Sequence, residues 1–232
     1  VTGVELDEVR AGLSRANARD GDLGDCVHKI DILSPDAIDR LGTFDLITCI
    51  DVIEHVLDVP LALRQMSKLL RPGGTLCLEI PNRDSIDFVG ADGHFKLFGI
   101  TQLDRRSAVD YHGRFFTFPY DVGDYHPAGY YVEHLSRLGL QASYAAYPIH
   151  PARAMNETGQ LLRGLAVRYR DYRGGARHKL PFALRAKING ALLRYVARLG
   201  ANRLRAGRDP RQSRFRARYL TNFWLLAARK PS

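Results

Sequence analysis

Three carboxylates stand where apolar segments end: Glu5 closes residues 1–5, Asp31 follows residues 26–30, and Asp51 follows residues 44–50. Each segment reads as a strand. In open α/β sheets ligands lie beyond the carboxyl ends of the strands, where the strand order reverses. A carboxylate at that place can accept two hydrogen bonds at once, which suits the paired hydroxyls of a ribose. Taken singly, Glu5 serves equally well as an acid at a helix N-terminus, favoured there by the dipole. The three cysteines, Cys26, Cys49 and Cys77, lie far apart, within or beside apolar runs. They read as free thiols of a reducing compartment, with neither a disulfide framework nor zinc spacing.

The elements around these acids alternate in period. Strand-like residues 1–5, 26–30, 44–50 and 75–80 are separated by helix-like residues 6–19, 35–41 and 58–71, the pattern of βαβ units on a parallel sheet. The third helix is well punctuated: Asp58 is placed to cap it, Pro60 sits in its first turn, and Pro72-Gly73-Gly74 ends it. Residues 81–126 are rich in aromatics and histidine and show no clear periodicity. A helix after Pro127, ended by Gly139, leads to a strand over 141–147. A last strand over 219–229 forms an antiparallel hairpin with it. The fold class is α/β: a Rossmann-like, mostly parallel sheet with an antiparallel C-terminal hairpin and a helical insertion between the last two strands.

Several runs together resemble class I S-adenosylmethionine-dependent methyltransferases: Val1-Thr2-Gly3-Val4-Glu5-Leu6-Asp7, Ile30-Asp31-Ile32-Leu33, and Phe44 through Val56 with its Asp51-Val52-Ile53-Glu54-His55 core. Leu69-Leu70-Arg71-Pro72-Gly73-Gly74 and the closing Asn222 through Lys230 fit as well. The Asp-Val-Ile-Glu-His-Val run followed by Arg-Pro-Gly-Gly is the most specific part, and resembles the small-molecule branch that includes ubiquinone-biosynthesis O-methyltransferases. Ile80-Pro81-Asn82-Arg83, with Asp92 and His94 downstream, is similar to bacterial methyltransferases of cell-surface glycan genes. The resemblance implies S-adenosylmethionine as cofactor, with Glu5 on the ribose hydroxyls, Leu6 on adenine, Asp31 accepting from the adenine amino group, and Ile32 against the ring. It places Cys49, Ile50 and Asp51 along the methionine end. The family's first strand and Gly-x-Gly-x-Gly turn have no counterpart, so the expectation is a chain that starts inside its domain. A βαβ unit takes about 30 residues or more. The departure leaves a second reading open, a non-catalytic remnant acting as a binding or interaction module.

For a methyltransferase the chemistry is an in-line displacement governed by proximity and orientation. A hydroxyl acceptor also needs a general base near neutral pKa, for which histidine is suited. His94 and His112 are the candidate catalytic residues, with His126 a further candidate and Tyr111 and Tyr120 as positioners. His55 faces either the acceptor or the packing. No metal is expected. The Asn/Asp-Pro-Pro-aromatic turn of base N-methylating relatives is absent at 51–55, which favours a hydroxyl of a small molecule or glycan precursor as acceptor.

Charge divides the chain. Residues 151–218 carry 18 Lys+Arg and 3 Asp+Glu, a balance of 18 − 3 = +15, so a net +9 leaves 9 − 15 = −6 elsewhere. The division expected is a core over 1–150, a basic helical insertion over 151–218, and the last strand of the core over 219–232. Leu184, Ile188, Leu192, Tyr195, Val196 and Leu199 share one helical face, with Lys187, Arg194, Arg198 and Arg205 on another. An earlier helix is marked by Leu161, Leu162, Leu165, Tyr169 and Tyr172. Three roles fit: a lid on the core, an interfacial element on anionic lipid, or an RNA-backbone contact, the last disfavoured. No apolar run reaches the 18 residues that read as a membrane span, and a cytoplasmic protein, peripheral to the inner membrane face in the lipid case, is expected.

Overall fold

The computed structural model describes residues 1–144, 153–207 and 211–232. Strands β1 (Gly3–Glu5) and β2 (Val27–Lys29) pair in parallel, Glu5 opposite Lys29, with α1 (Glu8–Asp20) crossing between them. The Asp7 carboxylate caps α1 by accepting from the Arg10 amide at 2.9 Å. Helix α2 (Ala37–Leu41) leads into a separate four-stranded sheet ordered β3-β4-β6-β5. Its strands are β3 (Phe44–Ile50), β4 (Leu70–Pro81), β5 (Gln141–Tyr144) and β6 (Phe223–Arg229). β3 and β4 run parallel, whereas β6 is antiparallel to both β4 and β5.

Helix α3 (Val59–Leu69) starts as its sequence requires: Asp58 accepts from the Leu61 amide at 2.9 Å and Pro60 occupies the first turn. It buries Leu63, Met66 and Leu69 against the sheet. β4 begins at Leu70, five residues earlier than expected, because Leu70 pairs with Phe44 across an irregularity in the ladder. Gly74 is fixed by space: a Cβ there would lie 2.9 Å from the Arg71 carbonyl and 3.1 Å from those of Phe44 and Asp45.

The aperiodic stretch holds more helix than its pattern showed, α4 (Ile86–Gly90) and α5 (Arg105–His112). Asp104 nucleates α5 by accepting from the Ser107 amide and hydroxyl, both at 2.9 Å. Helix α6 (Ala128–Arg137) precedes β5; the expected strand residues 145–147 lie outside the described residues. Between β5 and β6 run α7 (Thr158–Gly174), α8 (Phe182–Arg205) and α9 (Arg211–Tyr219). α9 continues through Tyr219, so the last strand starts four residues later than expected.

Two cores result. An aliphatic one joins β3, β4 and β6 to α3 and α6 through Leu63, Leu76, Leu78, Leu135 and Leu226. An aromatic-rich one joins residues 86–125 to the insertion through Tyr111, Tyr125, Tyr172, Tyr195 and Tyr219. Leu184, Ile188, Tyr195 and Leu199 are buried in it, as the helical face implied, while Val196 is 47% exposed. The insertion is pinned by a buried charge: the Asp84 carboxylate accepts from Arg198 at 3.1 Å and from Arg218 at 2.7 Å. The Tyr195 hydroxyl donates to the Asp84 carbonyl at 3.0 Å, and Lys187 donates to the Ser107 hydroxyl at 2.8 Å. Lys187 and Arg198, read from sequence as part of an outward basic face, therefore hold the core.

Candidate active site

Glu5, Asp31 and Asp51 stand at or just past the carboxyl ends of β1, β2 and β3. One oxygen of Glu5 accepts from the Asp7 amide and one of Asp31 from the Leu33 amide, each at 2.9 Å, and the second oxygen of each has no hydrogen-bond partner among the described residues. Leu6 and Ile50 are 62% and 53% exposed beside these acids. Open carboxylates among accessible apolar side chains fit the hydroxyls and ring of an adenosine. Ile32 is half-buried against the aliphatic core. Cys49 is buried, and burial, with the nearby Glu54 carboxylate second, pushes its thiol up to about 12, so it stays un-ionised. Asp51 adopts φ 51°, a left-handed conformation that Asp tolerates better than most residues. That turn directs the chain from β3 into the single helical turn Ile53–His55.

Glu54, in that turn, is 2% exposed, and neither carboxylate oxygen has a hydrogen-bond partner among the described residues. Burial raises its pKa to about 7, opposed by its own backbone amide and then by His55, and helped by the charges of Asp51 and Glu79. His94 Nε2 lies 3.7 Å and His55 Nε2 3.9 Å from Glu54 Oε1, and the two rings meet edge to face at 5.0 Å. His94 is placed by the buried Asp92, whose carboxylate accepts from the amides of His94, Phe95 and Leu97. Its Nδ1 lies 3.0 Å from the Tyr125 hydroxyl. Burial, then the charge of His55, lowers the His94 pKa, so the ring stays neutral at neutral pH. The segment carrying Tyr125 reaches the site through Gly123, whose amide donates to the Glu54 carbonyl at 2.6 Å. A Cβ at Gly123 would meet the Val56 and Glu54 carbonyls at 3.0 and 3.1 Å.

The chain belongs to the methyltransferase-domain family. The family model, described as a methyltransferase domain, matches residues 1–144, which include every strand-end acid and the Glu54–His94 pair. S-adenosylmethionine is the cofactor of this domain. Over 60 residues the chain is 42% identical to a ubiquinone biosynthesis O-methyltransferase of Xanthomonas campestris, covering 24% of this chain and 25% of that one. A Xanthomonas oryzae enzyme of the same name is 40% identical over the same length, with the same coverage. The chain thus matches about a quarter of the length of these curated relatives. Among solved structures, a putative sarcosine dimethylglycine methyltransferase from Galdieria sulphuraria overlaps at TM-score 0.45 and 13% identity, over 98% of this chain and 68% of the other. Phosphoethanolamine N-methyltransferase 2 of Haemonchus contortus, in complex with S-adenosyl-L-methionine, overlaps at 0.43 and 14%, over 100% and 43%. These overlaps are loose.

Of the two expected catalytic histidines, His94 lies beside Glu54 and His112 does not. His112 is 1% exposed, one ring farther in behind Phe95, at 4.5 Å from that ring and stacked on Phe116 at 4.8 Å. His126 stacks on Tyr130 at 3.8 Å. Sequence spacing showed no ligand cluster, but among the described residues donor atoms of Glu54, His55 and His94 all lie within 4.8 Å of one another, close enough to share a divalent cation. Sequence spacing hid the set because His94 stands 39 positions beyond His55. Glu54 itself was read only as part of a motif; its burial between strand end and loop is a long-range property.

Proposed function

We propose that this methyltransferase moves a methyl group from S-adenosylmethionine to a hydroxyl oxygen of a small molecule or glycan precursor, with His94 and Glu54 receiving the proton. The observation that carries the reading is the buried Glu54 carboxylate, without a hydrogen-bond partner among the described residues, 3.7 Å from His94 Nε2. A neutral histidine backed by a carboxylate of pKa near 7 is matched to taking a hydroxyl proton at physiological pH. Bound S-adenosylmethionine supplies an activated methyl carbon and leaves as the thioether, its sulfur keeping the electron pair of the broken bond. The chain's own residues do the rest. Glu5 and Asp31 hold the adenosine, the Asp51 turn sets the strand end, and Asp92 and Tyr125 fix the His94 ring. A hydroxyl placed at His94 Nε2 gives up its proton there as the oxygen–carbon bond forms, and Glu54 stabilises the resulting imidazolium. The Xanthomonas relatives bear the name of O-methyltransferases, which supports oxygen as acceptor. The ring cluster behind His94, Phe95 with Phe116, Phe118 and Tyr120, supports an acceptor with a flat or sugar ring.

The test is label transfer from methyl-labelled S-adenosylmethionine to a panel of phenols, sugar hydroxyls and aromatic amines. Label is expected in ether products. Binding of S-adenosylmethionine without transfer to any acceptor would favour the remnant reading, and transfer confined to amines would overturn the hydroxyl assignment.

A further inference from the structure

The inner face of α8 is accounted for by the aromatic core and the Asp84 lock, but its outer face is not. At 3.6 residues per turn, Phe182, Ala186, Leu193, Ala197 and Leu204 fall along one line opposite the buried Leu184 and Ala191. Phe182 is 80%, Leu193 71% and Leu204 88% exposed. The stripe runs about 33 Å at 1.5 Å per residue. Cations border it on both sides: Arg194 and Arg205 on one, Arg185 and Arg203 on the other. No acidic residue occurs between Asp171 and Asp209. Arg194, Arg203 and Arg205 have no acidic partner among the described residues.

We propose that α8 lies flat on an anionic lipid surface, its stripe at the boundary of headgroups and acyl chains and its bordering arginines on lipid phosphates. A merely solvated face would place charge at its centre, whereas here the centre is Phe and Leu and charge is confined to the borders. A second copy of α8 would set cationic border against cationic border with no acids to match. A nucleic-acid contact would place cations and several aromatics along the centre, and Phe182 is the one aromatic on the line. Charge complementarity therefore selects anionic lipid. The surface differs from the face that hydropathy alone marked, which the structure buries.

Cosedimentation of the full chain with vesicles tests it, using phosphatidylcholine alone or with about 30 mol % phosphatidylglycerol. Binding is expected to the anionic vesicles alone and is expected to fade as salt rises. The combined variant Phe182→Ser, Leu193→Ser, Leu204→Ser should lower partitioning at least about tenfold, as should Arg194→Gln, Arg203→Gln, Arg205→Gln. All six side chains are exposed, so thermal melting should match the parent. Equal partitioning of the parent to neutral and anionic vesicles at low salt would overturn the proposal. So would unchanged binding by the serine variant, or indifference to vesicles accompanied by retention of homopolymer RNA or by a concentration-dependent dimer that the serine variant loses.

Discussion

The two halves of the active site are built differently. The proposed cofactor half, Glu5 and Leu6 after β1 with Asp31 and Ile32 after β2, rides on a two-stranded sheet with a thin interior. Across residues 1–43 the buried apolar side chains are Ala11, Ala18, Ile30 and Ala37, while Val4, Val9 and Leu13 are exposed. The proposed proton-accepting half, Glu54 with His94, is enclosed between the two large cores and braced by Asp92 and Tyr125. A binding half can stay open because its ligand brings its own surface. An acid–base half needs exclusion of water, since desolvation is what moves Glu54 to about 7.

The sharpest way to break this contrast is Glu54→Gln. Activity should fall by about 10²-fold or more, while stability should move the other way above neutrality. In the folded protein Glu54 holds its proton up to about pH 7, against an ordinary value of 4.5. Between those values the folded state binds more protons than the unfolded, so the Glu54 contribution to stability declines as pH rises through 7. Glutamine lacks that charge. Chemical denaturation should find the variant more stable than the parent at pH 8, by a margin of order 3 kcal/mol at most, and the margin should close towards pH 5. Equal stability at both pH values would mean that Glu54 is solvated.

Asp84→Ala comes next. It leaves Arg198 and Arg218 without their shared carboxylate, and because both guanidinium groups are about 40% exposed the loss should be near the low end for broken buried pairs, about 2–3 kcal/mol by denaturant melting. A loss under 0.5 kcal/mol would show that the insertion is held by its apolar face alone. In the open half, Glu5→Ala should weaken S-adenosylmethionine binding by about 1.5–3 kcal/mol, measured by calorimetry, with little change in melting. Unchanged affinity would return Glu5 to a helix-start role. The smallest effect belongs to His112→Phe, a ring-for-ring exchange inside the aromatic core. Turnover within about threefold of the parent is expected, and a loss like that of a catalytic residue would return His112 to the site.

The strand-end acids were readable in the sequence, because they follow from local period and need no tertiary contact. So were the capped start of α3 and the buried stripe Leu184, Ile188, Tyr195 and Leu199. The enclosed half was not. His94 was picked out by residue type, but its pairing with Glu54 depends on Asp92 folding a loop back over a turn 39 positions earlier, and periodicity carries no sign of that. His112 has the same residue type and neighbourhood in sequence, and only packing separates the two. The same limit misplaced Lys187 and Arg198, since which cations of a helix find a partner is decided by Ser107 and Asp84, far off in the chain.

The central claim is that His94, backed by Glu54, receives the acceptor's proton, and the pH dependence of kcat for His94→Gln against the parent tests it most directly. With a hydroxyl acceptor the parent should rise to a plateau near neutral pH. The variant should lie about 10²–10⁴-fold lower there and recover only at higher pH, where the acceptor ionises unaided. A variant profile that superimposes on the parent's would contradict the account.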